Sequence, residues 1–559
     1  MMTTLLVMLL YSWLFALATA IRNPIISGWN PDPSVLRVGD SYYVATSSFE
    51  YFPSTPIYKS TDLGNWELIS HAFADPQSQH LFGVPTGAGS WAPTLSYIDG
   101  TFYIACMTRW TYDPVAKVWP RIYFASSVDL VEWSDLTWAE PWGIDPSLFH
   151  DPQSKKTYLN LMAPNNNEDR IWGIYQCEIS LITGKCIDSY HSLWNGTLTH
   201  NINSRPEGPK MFYRLGFYYL MIAEGGTDDL HRTTIARSGS PTGPWEPNPN
   251  NPLLFNGAYG YDNLTVQSTG HSTLVETPGG DWYAAFLARR KIKGSSPLGR
   301  ETFLTPVKWS QEGWPILNNE EPIMLSKSFG PSDVHQHLVP ATFHDEFTSS
   351  VLHPSWYQLR TPYTSNFALD GHGLTFKPNV YGLSDRDTPA ALLRKQKSLN
   401  MTFSATLSAI QGLYGPKMTV GISAYLSEFQ HQDIGVTGCV NATGLCLYTT
   451  LLKNCTALSK QIPLNQTSIS GLTLHIRATP LDYQLGYSLH PHLTPTYLAT
   501  ISSSWQAFAP ANYLVFEGNS FALFASGGGE PWPYNGHDVG FTEVVETYFE
   551  ENIPDYDIW

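Results

Sequence analysis

Five stretches of this chain repeat one design, and that repetition constrains the fold more than any other feature. They read NPDPSVLRVGDSYYVATS, WAPTLSYIDGTFYIACM, IDPSLFHDPQSKKTYLNLM, PEGPKMFYRLGFYYLMIAE and TGHSTLVETPGGDWYAAFLA. Each has a short polar or proline-containing motif, an apolar strand, a turn and an aromatic-rich strand. The key positions are Asp32, Ala92, Asp145, Glu207 and His271, spaced 53 to 64 residues apart. A second element follows most copies: IYKSTDLGNW (57–66), IYFASSVDLVEW (122–133) and, more loosely, TIARSGSPTGPW (234–245) each give a strand, a turn and a tryptophan opening another strand. Together these make about four strands per repeat. Between Ile21 and Ser326 a two-residue alternation and Gly/Pro/Asn/Asp turns dominate, and a helical period is almost absent. A repeat of this length cannot bury its apolar face alone, and five four-stranded units closed in a ring make a five-bladed β-propeller.

In such a ring the first strand of each blade lines the central channel. The motif opening each repeat therefore faces one end of that channel, and Asp32, Asp145, Glu207 and His271 converge on one pocket. Asp32 lies between Pro31 and Pro33. Proline fixes φ and removes a donor, and it pushes the preceding residue toward extended geometry. Such rigidity holds a carboxylate in place. Two carboxylates across a glycosidic bond suffice for its hydrolysis, one protonated to donate to the leaving oxygen and one ionised to activate water. A third nearby raises the acid's pKa by like-charge repulsion.

At 559 residues the chain exceeds one ordinary core, which predicts two domains. The stretch 326–340 reads as a linker between a propeller at 21–325 and a second all-β domain at 341–559, where short alternating strands such as MTFSATLSAI and GLTLHIRATP form a sandwich pattern. Net charge is −16, which argues against a nucleic-acid partner and fits a neutral substrate. Residues 1–20 carry an apolar run, Leu5 to Leu17, too short to span a bilayer comfortably, and end in Ala18-Thr19-Ala20. That is a signal-peptide pattern lacking the usual basic front, and no later segment reads as transmembrane. Six N-x-Ser/Thr sequons begin at Asn195, Asn263, Asn400, Asn441, Asn454 and Asn465, and with the leader they predict a secreted, extracellular glycoprotein. Of six cysteines, Cys177 and Cys186 flank a predicted hairpin turn and can pair. Two of Cys439, Cys446 and Cys455 are expected to pair, and Cys106 reads as a buried free thiol. There is no zinc spacing.

The ordered motifs NPDPSV, SSFEYFP, WAP, GIDPSLF, PEGPKMFY with AEGGT, TGHS and GRETFL resemble glycoside hydrolase family 43. They are most similar to its β-xylosidase / α-L-arabinofuranosidase branch, which carries a C-terminal concanavalin-like β-sandwich. The opening of the second domain, DEF with a later Trp356, resembles the start of that sandwich. The resemblance implies inverting, exo-acting removal of terminal β-1,4-xylose or terminal α-L-arabinofuranose from xylan-derived oligosaccharides. Motif by motif, it implies Asp32 as general base, Glu207 as general acid and Asp145 as modulator of the acid's pKa. Arg300 would bind substrate hydroxyls, and Phe49 and Trp91 would wall the terminal sugar. His271 matches a histidine that in some members helps hold a calcium ion through waters at the channel centre, and no cofactor is otherwise implied. Some members form dimers or tetramers, so the oligomeric state stays open. Three readings compete with β-xylosidase: arabinofuranosidase as main activity, a non-catalytic sugar-binding protein on the same scaffold, and a retaining fructan hydrolase. The last would need an RDP-type motif where this chain has GIDP. Asp228-Asp229-Leu230-His231 replaces the glycine–aromatic pair that often follows EGGT, and the final YFEENIPDYDIW has no counterpart in the resemblance.

Overall fold

The computed structural model describes residues 20–559 except 112–118, 165–171, 200–203, 331–333, 335, 337–341, 409–416, 441–443, 454–455, 465–470, 490–491, 508–514 and 532–538. Five four-stranded antiparallel sheets follow one another in chain order. Blade 1 is built from Ser34–Val38, Ser41–Ala45, Ser54–Ser60 and Glu67–Phe73, and blade 2 from Gly89–Ile98, Thr101–Arg109, Arg121–Ser127 and Thr137–Trp142. Blade 3 uses Ile144–His150, Thr157–Pro164, Trp172–Glu178 and His191–Trp194, and blade 4 uses Glu207–Arg214, Phe217–Glu224, Arg232–Ser238 and Glu246–Pro247. Blade 5 uses Val266–Glu276, Trp282–Arg290, Arg300–Trp309 and Pro315–Leu317. The first strands neighbour one another in a closed ring, the fifth returning to the first. The segment before blade 1 seals that closure: Asn30 N–H donates to the Arg300 carbonyl at 2.9 Å, and Ile26 bridges Thr302.

The repeated motifs share a backbone device. In blades 2 to 5 the first strand bulges, with Ala92-Pro93, Asp145-Pro146, Gly208-Pro209 and His271-Ser272 each opposing one residue of the second strand. The first residue of every pair has a left-handed φ: Ala92 40°, Asp145 54°, Gly208 61° and His271 54°; Asp32, before Pro33, has 57°. So the residue before the proline is left-handed rather than extended. A bulge leaves backbone groups unpaired. A proline in its second place brings no N–H to orphan. Holding a non-glycine residue there costs about 1–3 kcal/mol, strain tolerated where a side chain must be aimed.

The register also corrects the equivalence of the key positions. Gly208, not Glu207, occupies the place of Ala92, Asp145 and His271 in blade 4; Glu207 is the last paired residue before the bulge, opposite Ala223. A Cβ at position 208 would sit 2.8 Å from His271 Nε2, so this position needs glycine both for its φ and for the imidazole against it.

The second domain is a two-sheet sandwich. A six-stranded sheet (Ala390–Lys395, Thr419–Ser427, Gln430–Gly438, Leu445–Lys453, Thr456–Pro463, Ser520–Ser526) faces an eight-stranded one that includes Met401–Leu407, Leu472–Ala478 and Val539–Tyr548. Between them lies a core of residues such as Leu392, Phe403, Ile434, Leu474, Phe521 and Val544. The other face of the six-stranded sheet meets the propeller: Leu393, Tyr425 and Phe524 pack with Trp29, Phe49 and Tyr51. Buried on both faces, Ala390–Lys395 has no exposed position. A short ladder, Tyr51–Phe52 with Gln358–Leu359, joins the domains directly. The C-terminal tail returns to blade 5: Arg290 binds Glu551 at 2.5 Å, Thr265 N–H donates to the Asp555 carbonyl at 2.8 Å, and the Asp557 carboxylate accepts from Lys293 and Gly294 N–H. Upstream, Ser328–Phe329 pairs with Ile21–Arg22.

Cys177 pairs with Cys186 and Cys439 with Cys446, while Cys106 is free and buried; Cys455 lies outside the described residues. Asn195 and Asn263 are exposed. The Asn400 amide is engaged, donating to the Glu550 carbonyl at 2.7 Å and accepting from Arg477 at 2.5 Å. Asn441, Asn454 and Asn465 lie outside the described residues, as do residues 1–19 of the expected signal peptide. No described helix is long and apolar enough to cross a membrane.

Candidate active site

A cavity of about 250 Å3 opens at the channel mouth, lined by Asp32, Asp145, Glu207, His271, Arg300, Phe49 and Trp91. All seven residues that the sequence nominates therefore meet. A larger groove, about 760 Å3, lies at the outer edges of blades 4 and 5 beside Tyr261 and Trp314, and holds none of these carboxylates.

Asp32 is built to stay ionised. Burial pushes its pKa up, but this is outweighed by the Arg300 guanidinium at 3.1 Å, by His271 and by the Ser47 hydroxyl donating at 2.5 Å, so the net shift is downward. Ser47 accepts in turn from Ala92 N–H at 2.7 Å, which ties the left-handed residues of blades 1 and 2 together. Burial lowers the His271 pKa to about 3, so near neutral pH the ring that places Nδ1 3.4 Å from Asp32 is uncharged, and Arg300 and Ser47 carry the support of the Asp32 charge there.

Glu207 is built to stay protonated. Burial, then the charges of Asp145 and Asp32, push it up to about 8 against the pull of Arg205 and Arg300. Asp145 accepts from Gly208 N–H at 3.0 Å, and burial followed by the Asp32 charge raises it to about 7. Lys210, the first residue past the bulge that follows Glu207, is buried; its ammonium donates to Thr94 at 2.8 Å and opposes the rise of Asp145, while burial lowers its own pKa to about 8. Two carboxyl groups with raised pKa values thus gather beside one carboxylate whose neighbours favour its charge, and Glu207, the higher of the two, is the one that holds its proton longest, the division of labour that glycosidic cleavage requires.

The walls are aromatic. Phe49 is locked to blade 2 by reciprocal 2.9 Å backbone bonds with Ser90, and Trp91 donates from Nε1 to the Gly87 carbonyl at 2.9 Å. Phe516, from the sandwich domain, completes the wall: it stacks on Phe49 at 6.0 Å and meets Trp91 edge-on at 5.3 Å. Arg300 lies 5.7 Å from the Phe49 ring centroid and 5.3 Å from that of Phe516, and also donates to Thr227 at 3.1 Å. The loop bearing Phe516 is pressed against the start of the Arg300 strand, where Gly518 and Gly299 approach so closely that a Cβ on either would meet backbone at 2.2 to 2.5 Å.

Sequence reasoning missed four contributors. Thr227 and Lys210 sit inside motifs already singled out, AEGGT and PEGPK. His231 is buried 3.8 Å from Glu207, with Nδ1 against the Gly226 carbonyl. Phe516 carries no local signal. Asp228 and Asp229, where the resemblance breaks, do not line the cavity, and Asp229 pairs with Lys291 at 2.5 Å. His271 Nε2 is buried without a hydrogen-bond partner among the described residues, which suits a water or an ion's hydration shell. Among the described residues the only group of three His, Cys, Asp or Glu able to grip an ion directly is His344, Glu346 and Glu543, on the sandwich surface.

Comparison with known proteins agrees with this architecture. Residues 21–315 match the model of glycosyl hydrolases family 43, and residues 344–532 that of the β-xylosidase C-terminal concanavalin A-like domain. The chain is 32% identical over 539 residues to a non-reducing end α-L-arabinofuranosidase of Bacteroides ovatus, covering 94% of this chain and 96% of that one. It is 33% identical over 399 residues to a β-xylosidase of Bacillus subtilis, covering 68% and 72%. The crystal structure of a xylan β-1,4-xylosidase from Bacillus halodurans superposes with a TM-score of 0.85 at 29% identity, over 94% of this chain and all of that one. With a family model spanning its propeller, a second on its sandwich and a relative matched almost end to end, the chain belongs to glycoside hydrolase family 43.

Proposed function

We propose that this hydrolase is a secreted, inverting exo-glycosidase that removes terminal β-1,4-xylose or terminal α-L-arabinofuranose from xylan-derived oligosaccharides. The observation that carries the reading is the opposed protonation of Asp32 and Glu207 inside one small aromatic pocket. Asp32 takes the proton of the attacking water, Glu207 gives its proton to the leaving oxygen, and Asp145 keeps Glu207 protonated until that moment. Arg300 holds substrate hydroxyls and keeps Asp32 ionised. Phe49, Trp91 and Phe516 face the terminal sugar, and the pocket they bound with the second domain favours chain ends over long chains. Arabinofuranosidase as main activity is supported by the relative matched over nearly its whole length. Secretion is supported by the leader and by the exposed sequons at Asn195 and Asn263. A calcium ion would meet the chain at His271 Nε2 through its waters, adding positive charge below the pocket.

The test is hydrolysis of xylobiose, arabino-oligosaccharides and aryl pentosides, with and without a chelator, and with the product anomer read by NMR. Release of single pentoses with inverted configuration is expected. A retained anomer would sink the mechanism, and no release from any pentoside would leave a sugar-binding protein.

A further inference from the structure

Each of two pocket-wall residues is followed in sequence by a buried acid. Glu50 follows Phe49 in the propeller, and Glu517 follows Phe516 in the sandwich. Behind the stacked rings these carboxyl groups meet across the domain junction. Glu50 is 0% exposed and Glu517 4%, and both accept from one N–H, that of Gly87, at 3.1 and 3.0 Å. Glu517 also accepts from Phe516 N–H at 2.8 Å. Glu50 Oε1 has no donor among the described residues, and the shared Gly87 N–H holds the Glu517 carboxyl beside that of Glu50. Two carboxyl oxygens can bond only if one carries a hydrogen.

The charges around the pair do not neutralise it. Arg360 lies 3.6 Å from Glu428, which also holds Arg386 at 3.3 Å and Thr86, and its other nitrogens donate to the Val84 and Asp387 carbonyls. Arg300, on the pocket side of Phe516, is committed to Asp32. The nearby phenols of Tyr51 and Tyr425 are held neutral, chiefly by burial. Two ionised carboxylates here would be buried like charges sharing one amide donor, an arrangement that neutralises by taking up a proton.

We propose that Glu50 and Glu517 hold one proton between them, and that this acid–carboxylate pair is the positioning element that keeps Phe49 and Phe516 stacked as the pocket wall. Burial, then the Glu517 charge, keeps Glu50 well above the usual carboxylate range. The folded chain therefore retains a proton that the unfolded chain releases. The stability it contributes is present below the ordinary glutamate pKa and is lost as pH rises through the folded value. As the proton leaves, repulsion separates the two loops and the rings they carry.

Glu50→Gln and Glu517→Gln test this, since an amide donates to the remaining carboxylate without needing a proton. Melting temperature and KM are followed from acidic to alkaline pH, using an aryl pentoside with an acidic leaving group so that Glu207 protonation matters little. In the parent protein Tm falls and KM rises by about tenfold at alkaline pH, the scale of one lost pocket contact. In Glu50→Gln both dependences flatten while acid-side KM is kept. If Glu50→Gln fails to fold, Glu517→Gln carries the same comparison. Parent-like pH dependence in the folded variants overturns the shared proton. Flattened Tm with unchanged KM behaviour overturns the positioning role. The kinetic arm rests on the pocket assignment made above, whereas the thermal arm does not, so failure of either is distinguishable.

Discussion

The pocket floor and the domain junction both bury acids, and one peptide bond separates them: Phe49 faces the pocket and Glu50 the junction. The floor supplies Asp32 with a guanidinium, a hydroxyl and an imidazole, so the carboxylate stays charged despite burial. The junction supplies its two acids with the shared Gly87 amide and, for Glu517, the Phe516 amide, and among the described residues no cation pairs with either, so a proton takes the place of a cation. Burial alone therefore does not set protonation; the donors that accompany it do. Glu207 lies between these extremes, with 16% side-chain exposure, two arginines pulling it down and two carboxylates pushing it up.

The largest break in that comparison comes from Asp32→Asn. Without a base to take the water's proton, turnover should fall by about 10^2- to 10^4-fold on xylobiose and on aryl pentosides alike. Glu207→Gln should lose a similar factor on xylobiose but far less on an aryl pentoside with an acidic leaving group, which departs without protonation. Comparing kcat on the two substrates for each variant separates base from acid. Equal losses on both substrates for Glu207→Gln would remove it from the acid role.

The five repeats, the convergence of Asp32, Asp145, Glu207 and His271 and the two-domain plan were legible because each rests on a repeated pattern, whereas Arg300, Phe49 and Trp91 were legible only through the motif resemblance. The register of blade 4 is also written in the sequence, in the prolines. Asp32, Ala92, Asp145 and Gly208 all precede a proline, and aligning on Pro33, Pro93, Pro146 and Pro209 places Gly208 at the bulge. The carboxylate that makes chemical sense is Glu207, whereas the backbone needs a left-handed residue at 208, so chemistry and register point to neighbouring positions. Phe516 and the Glu50–Glu517 pair were not legible. Their meaning depends on how the sandwich sits on the propeller, through the Gly299–Gly518 contact and the Leu359–Tyr51 ladder, and no periodicity within either domain encodes that.

Phe516→Ala tests that cross-domain contribution. It should raise KM by about tenfold with kcat largely kept, because it removes apolar wall and leaves the carboxylates in place. A smaller effect is expected of Asp145→Asn on the pH profile. The parent kcat/KM should fall as pH rises through about 8, where Glu207 loses its proton. Removing the Asp145 charge removes repulsion that favours protonated Glu207, so the alkaline limb should move to lower pH. Movement to higher pH would contradict the role given to Asp145.

The smallest effect belongs to Ser47, and it probes the floor most finely. Its hydroxyl donates to Asp32 and accepts from Ala92 N–H, so it supports both the charge of the base and the left-handed bulge of the next blade. Hydrogen bonds to charged groups contribute about 1.5–3 kcal/mol, so their loss shifts a carboxyl pKa by about one to two units. In Ser47→Ala the Asp32 pKa rises toward its ordinary value and the base becomes protonated at higher pH. The acid limb of kcat/KM should therefore move upward by about one to two pH units, while the rate near neutrality, where Asp32 is ionised in both proteins, changes little. Ser47→Thr keeps the hydroxyl and should restore the parent limb. A uniform loss at every pH in Ser47→Ala would mean that the Ala92 contact dominates and that Ser47 serves the backbone of the bulge rather than the charge of Asp32.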